Sequence, residues 1–154
     1  MVHRLSKDLF ESVIANAPLI SIDLIVQNSK GEFLLGYRNN KPAQNYWFVP
    51  GGRIFKSETI PNAFKRIAHD ELNLNLDIDL ATFKGVYEHH YDDSFVSDDV
   101  TTHYIVLAYA IFNVSDSESM PDIQHAKFKW FSKEELLVSD SVHTYTKNYF
   151  QERH

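Results

Sequence analysis

The sequence predicts a mixed α/β domain of the α+β type, with one long helix embedded between strands. Three observations predict it. A helical apolar pattern opens the chain at residues 6–16. β-rich segments separated by turn residues follow it. A second helical pattern, SETIPNAFKRIAHDELN, is then succeeded by two long β-rich segments, not by a repeating strand–helix alternation.

Each element has its own signal. In SKDLFESVIAN (6–16), Leu9, Phe10, Val13 and Ile14 recur at helical spacing, Ser6 is placed to cap, and Pro18 follows as a stop. SIDLIVQ (21–27) and FLLGYR (33–38) flank the turn sequence NSKGE, which predicts a hairpin. A loop rich in Asn, Lys, Pro and Gln leads to YWFVPGGR (46–53), a short strand ending in two glycines. In the embedded helix Ser57 or Thr59 caps, and Pro61 is tolerated because it lies in the first turn. Ala63, Ile67 and Glu71 share one face, with Arg66 and Asp70 on a neighbouring one, and Asn73 stands where a terminating glycine would. LATFKGVYEHHY (80–91) and THYIVLAYAIFNV (102–114) read as strands around the acidic loop DDSFVSDD. FKWFS (128–132) is a last strand, KEELL opens a short helix, and SVHTYTKNYF (141–150) is helical. Tyr46, Trp47, Phe48 and Trp130 are expected to pack the core.

The chain has 154 residues, enough for one compact domain, and with no linker, repeat or low-complexity tract we place one domain over 1–154. Fifteen basic against 21 acidic residues give a net charge of -6, which excludes a general nucleic-acid binder with a broad basic surface. An anionic ligand then needs positive charge gathered locally or supplied by a metal. No cysteine is present, so disulfides and thiolate metal sites are excluded. No apolar run approaches a membrane span and MVHRLSKDLFESV lacks a signal-peptide core, so the expected location is cytoplasmic, without a membrane partner.

Chemistry concentrates in GGRIFKSETIPNAFKRIAHDELNL. Gly52, Glu58, Arg66, Asp70, Glu71 and Leu74 fall at the spacings of the box that marks the Nudix hydrolases, which this stretch resembles. Three positions depart from that box: Ile67 stands for its first helical glutamate, Asp70 for another, and Asn73 for its glycine. The resemblance implies the Nudix fold, a mixed β-sheet sandwiched between helices with a strand–loop–helix metal site. Such a site holds a hard, oxygen-seeking cation against a substrate diphosphate, through turn carbonyls and carboxylates on one helix face. Ile67 removes one carboxylate.

With YWFVPGGR, GVYEHHYDD, TTHYIV and DIQHAKFKWFS, the chain resembles the GDP-mannose mannosyl hydrolases, a Nudix subfamily lacking the same glutamate. The likeness runs from about Pro18 through SVHTYTKNYF. It implies that the Gly51 carbonyl, Glu71 and Gln124 ligate one essential Mg²⁺, for which Mn²⁺ can substitute, and that His125 is the general base. Arg38, Arg53 and Arg66 take the electrostatic role on the diphosphate, for which arginine's fixed fork suits phosphate oxygens. Asp23 and His89 match residues near the sugar, and Tyr104 one near the metal's water shell. Phe10, with the backbone of Arg4 and Leu5, matches the guanine-holding region. The implied reaction releases GDP and free sugar from GDP-mannose, and also from GDP-glucose, by attack of water at the anomeric carbon with inversion. The subfamily forms homodimers.

Plainer readings stand beside these. Glu58 and Arg66 can form a salt bridge that only positions the helix. Asp23 can be the polar face of a half-exposed strand, and Phe10 can be core. Asp70 can bind a second ion, orient Glu71 or be surface charge. His89, His90 and Tyr91 suggest zinc, but adjacent strand residues point to opposite faces, so His89 and His90 are poorly placed to share one ion. Two rival functions remain: a conventional Nudix pyrophosphatase attacking phosphorus of a nucleoside diphosphate-sugar, and a non-catalytic module that binds nucleotide-sugars.

Overall fold

A computed structural model describes residues 4–115 and 127–151. In chain order the elements are helix α1 (Lys7–Asn16), strands β1 (Leu19–Asn28), β2 (Phe33–Tyr37), β3 (Trp47–Phe48) and β4 (Gly51–Arg53), helix α2 (Ile60–Leu72), a 3-10 turn (Ile78–Leu80), strands β5 (Thr82–Tyr91), β6 (Thr102–Val114) and β7 (Phe128–Phe131), and helices α3 (Lys133–Val138) and α4 (Thr144–Asn148).

The strands lie in the order β3-β2-β1-β6-β5, with β4 also paired to β1 and β7 to β2. Strand β1 runs parallel to β6 and antiparallel to β2 and β4, which makes the sheet mixed. Centrality explains its composition: β1 is buried on both faces and reads as a nearly continuous apolar run. Ile22, Leu24 and Val26 pack with Ala63, Phe64, Ile67, Ala68 and Leu72 of α2. On the opposite face Ile25, Leu35, Phe48, Ala108 and Phe131 pack with Leu136 of α3, Val142 and Tyr149. The sheet is thus sandwiched between helices, the arrangement that the resemblance implies.

Caps follow the expected chemistry. Ser6 Oγ accepts from Leu9 N at 3.3 Å, and Thr59 Oγ1, not Ser57, accepts from Asn62 N at 3.2 Å. Asn73 terminates α2 in the left-handed region (φ 52°), where a short amide side chain substitutes for glycine. The β1–β2 turn closes through Asn28 Oδ1, which accepts from Lys30 N and Glu32 N.

Some expectations change. Leu80 belongs to the 3-10 turn and is exposed, so the fifth strand begins at Thr82. Phe48 is core, whereas Tyr46 is 40% exposed and only edges onto His143. Asp23 is not on a half-exposed face: the C-terminal segment covers that side of β1, leaving Asp23 7% exposed. Among the described residues no helix is long and apolar enough to cross a membrane.

Candidate active site

Local sequence places the site at the end of the sheet where β4 meets α2. Strand β4 pairs with β1 at Asp23↔Gly51 and Ile22↔Gly52. A Cβ on Gly51 would stand 2.3 Å from Asp23 Oδ1 and 2.6 Å from the Ile22 carbonyl oxygen, so only glycine allows this approach. Gly52 lies against Ile67, whose Cγ1 would be 3.1 Å from an added Cβ. Ile67 is therefore core, 1% exposed, at the helix position where the Nudix box carries a carboxylate.

Two cavities of about 390 Å³ each open here. They share Arg38, Pro42, Gly52, Arg53, Glu71, Phe95 and Tyr104 in their walls, and so form two compartments of one groove. The first adds Asp23, Gly51, His89 and Tyr91; the second adds Arg4, Phe10, Phe55, Arg66 and Asp70. The structure thus gathers Arg4, Phe10, Asp23, Arg38, Gly51, Arg53, Arg66, Glu71, His89 and Tyr104 around one space. Leu5 is exposed and lines neither compartment. Gln124 and His125 lie outside the described residues.

The cations are held differently. Arg38 donates from Nε to the Pro42 carbonyl at 2.9 Å, which leaves its other guanidinium nitrogens available to the groove. The Arg53 guanidinium sits 4.4 Å from the centre of the Phe10 ring and 4.8 Å from that of Phe55, a clamp that orients it without using its N–H donors. Phe10 is accordingly a wall of the second compartment and not simple core. Arg66 is committed elsewhere: it donates to both carboxylate oxygens of Glu58 (2.7 and 3.0 Å) and to the Arg53 carbonyl (2.8 Å), with Asp70 at 3.7 Å. Glu58 also accepts from Phe55 N at 2.8 Å, and its bond from Arg66 holds its pKa below the usual carboxylate value. Glu58 and Arg66 thus pin the loop between β4 and α2 to the helix that carries Glu71.

Glu71 borders both compartments, and among the described residues no hydrogen bond reaches its carboxylate. Burial raises its pKa and Asp70 adds to this, against the opposing pull of Arg38 and Arg66. A desolvated carboxylate in this state fits a hard divalent cation, which would supply the missing positive charge.

The first compartment has a buried polar chain that joins Asp23 and His89 through Tyr149, which the sequence reading missed. Tyr149 donates a short hydrogen bond to Asp23 Oδ2, and its oxygen lies 3.3 Å from His89 Nε2. With Asp23 ionised, the single tyrosyl proton is committed to it, so His89 donates from Nε2 and keeps Nδ1 as an acceptor. Burial raises Asp23 to about 7, despite the Tyr149 bond and the charge of Arg38. Burial first, then His143 and His90, lowers His89 to about 4, so it is neutral at neutral pH. Its ring stacks on Tyr145 at 4.3 Å with 3° between planes. The signal for this support was the spacing of Tyr145 and Tyr149, one helical turn apart on a common face. His90 points away from His89, as strand alternation requires, so these two share no ion.

Comparison with known proteins places the fold. The chain is 37% identical over 146 residues to the low-salt glycan biosynthesis protein Agl8 of Haloferax volcanii, covering 95% of this chain and 88% of that protein. Its fold is similar to that of the MutT protein from Methanosarcina mazei Go1 (TM-score 0.69, 21% identity, 88% of this chain and 92% of that one). It is also similar to that of a MutT NUDIX hydrolase from Burkholderia pseudomallei (TM-score 0.67, 20% identity, 87% and 96%). The NUDIX domain profile matches residues 17–151, so that β1, the glycine turn, the carboxylate helix and the C-terminal cover all fall within it, and the chain belongs to the Nudix family of hydrolases.

Proposed function

We propose that residues 1–154 form one Nudix domain that hydrolyses GDP-mannose, and also GDP-glucose, to GDP and the free sugar by attack of water at the anomeric carbon. The carrying observation is the burial of Ile67 against Gly52, which leaves α2 with Glu71 and Asp70 but without the box's first glutamate at the groove. Attack at phosphorus draws on that carboxylate set. Attack at carbon needs mainly a stabilised leaving group and a base.

The two compartments suit a bipartite substrate. The first, with Asp23 and the neutral His89, offers hydrogen-bond partners for sugar hydroxyls. The second, walled by Phe10 and Phe55 with Arg4 at its edge, suits a guanine ring. Arg38 and Arg53 stand in the shared wall, where a diphosphate joining the two would lie. Arginine forks there favour the charge that grows on departing GDP. Enzymes of this family generally use divalent metals; here the Gly51 carbonyl, Glu71 and Gln124 would hold Mg²⁺, which would supply further charge neutralisation of the leaving diphosphate. His125 is the proposed base that takes the proton from water. Agl8's role in glycan biosynthesis is consistent with a nucleotide-sugar substrate. A cytoplasmic homodimer belongs to the same reading.

Hydrolysis in ¹⁸O-water tests the reaction. Label should enter mannose and leave GDP unlabelled. Label in a phosphate-bearing product would instead establish the pyrophosphatase, and GDP-mannose binding without turnover in Mg²⁺ would establish a binding module.

A further inference from the structure

On the face of β5 turned away from His89 and Tyr91, a second group of ligand-bearing side chains comes together. Glu88 and His90 are two residues apart on β5 and share that face. His90 pairs directly with His103 of β6, and their rings stack with centroids 4.2 Å apart and 22° between planes. One ligand atom from each of Glu88, His90 and His103 lies within 4.8 Å of the other two. Four donors around a zinc ion stand about 3.4 Å from one another when each bond is about 2.1 Å long, so an ion would draw the three together and turn the two stacked rings until a nitrogen of each faces it. Glu88 and His90 are exposed, which leaves the position open to an ion from solution. The third member supplies an independent sign: His103 Nε2 is sealed from solvent and has no hydrogen-bond partner among the described residues. A buried imidazole nitrogen is normally paired, and a metal ion is one of the few partners that would satisfy it here.

We propose that Glu88, His90 and His103 form a binding site for a borderline divalent transition-metal ion of the zinc class, with water in the fourth position. Two imidazoles and one carboxylate select such an ion over Mg²⁺, which prefers an all-oxygen shell. The site does not depend on the proposed substrate, because it lies on the other face of the strand from the groove. Its effect follows from topology. Strand β5 is the edge of the sheet beside β6, and it carries His89 and Tyr91 into the groove on its reverse face. The His90 main chain also exchanges hydrogen bonds with the Tyr145 hydroxyl, on whose ring His89 stacks. An ion joining His90 to His103 therefore ties this edge strand to its neighbour and braces the sugar compartment.

The test uses the tag-free full chain, stripped with chelator and then held in excess Mg²⁺ to fill the oxygen site of the groove. Zn²⁺ is titrated against a fluorescent chelator, and Co²⁺ is followed by visible absorption. The expected result is one bound equivalent with the absorption of tetrahedral cobalt and a melting temperature that rises with zinc. His90→Ala and His103→Ala should each weaken zinc by more than about 100-fold, beyond the loss typical of an outer-shell partner. Glu71→Gln should leave zinc binding unchanged. His90 is exposed, so His90→Ala should melt like the parent in chelator, and it keeps the test sound should His103→Ala fold poorly. The proposal is overturned if the parent binds no zinc, if the equivalent survives both histidine substitutions, or if it vanishes in Glu71→Gln.

Discussion

Single residues in the groove are held in protonation states that water would not give them. His89 is the clearest case, because burial, not a charged partner, is the main cause of its lowered pKa. Its folded value of about 4 lies below the ordinary 6.5, so between these values the unfolded chain binds the proton and the folded chain does not. Stability from this residue is then intact above pH 6.5 and is lost as pH falls toward 4. At ~1.4 kcal/mol per unit, the loss should approach about 3 kcal/mol. Urea unfolding of parent and His89→Gln in chelator, at pH 7 and pH 4.5, measures it as a difference, which cancels the many other groups that titrate in this window. The parent should lose most of that amount relative to the variant. Parallel pH profiles would mean that His89 is accessible to protons in the folded state.

At the scale of elements, α2 shows how a helix is fixed relative to the glycine turn of β4. Its apolar face packs under β1, but its register against the β4 loop depends on the Glu58–Arg66 pair, in which the Glu58 side chain is 4% exposed. Removing only the cation would leave a largely covered carboxylate without its partner, a change that costs about 1–3 kcal/mol. Arg66→Met should therefore lower the urea midpoint strongly, whereas Glu58→Gln with Arg66→Met should recover part of the loss, because no charge is left unpaired. Equal midpoints for parent and Arg66→Met would contradict the clasp. This element was legible from sequence in its approximate span, its cap at Ser57 or Thr59, its end at Asn73 and its ion pair, because all of these are set within a few residues. The covering of Asp23 was not. Alternation along β1 shows which residues share a face, but not that Tyr149, far along the chain, will close over it. His103 escaped for the same reason: its pairing with His90 depends on strand register across a loop. Gln124 and His125, the sharpest marks in the sequence, lie outside the described residues, so the groove rests on the other members of the set.

For the whole molecule, the family profile begins at residue 17, and α1 precedes it. This helix contributes little to the core, with Ile14 its one buried side chain among the described residues. Yet Phe10 and Ile14 line the second compartment, where Phe10 backs Arg53 and the preceding Arg4 faces Phe55. The helix thus acts as a wall added to the Nudix framework on the side assigned to the base, while the compartment proposed for the sugar is built from β1, β5 and the C-terminal cover. A chain beginning at Pro18 should keep the sheet, both helix-packed faces and the Asp23–Tyr149–His89 chain. Losing an aromatic wall and one cation should weaken nucleotide binding by about 1–3 kcal/mol, the range for a stacked base, which is roughly 5- to 150-fold in affinity. The loss should fall on KM for GDP-mannose and on the affinity for GDP, with kcat changed much less, since the proposed function puts the anomeric carbon in the other compartment. Calorimetric titration with GDP beside steady-state kinetics of the shortened chain separates these effects. If the shortened chain is folded and binds GDP as tightly as the full one, the base is held elsewhere and α1 has no part in recognition.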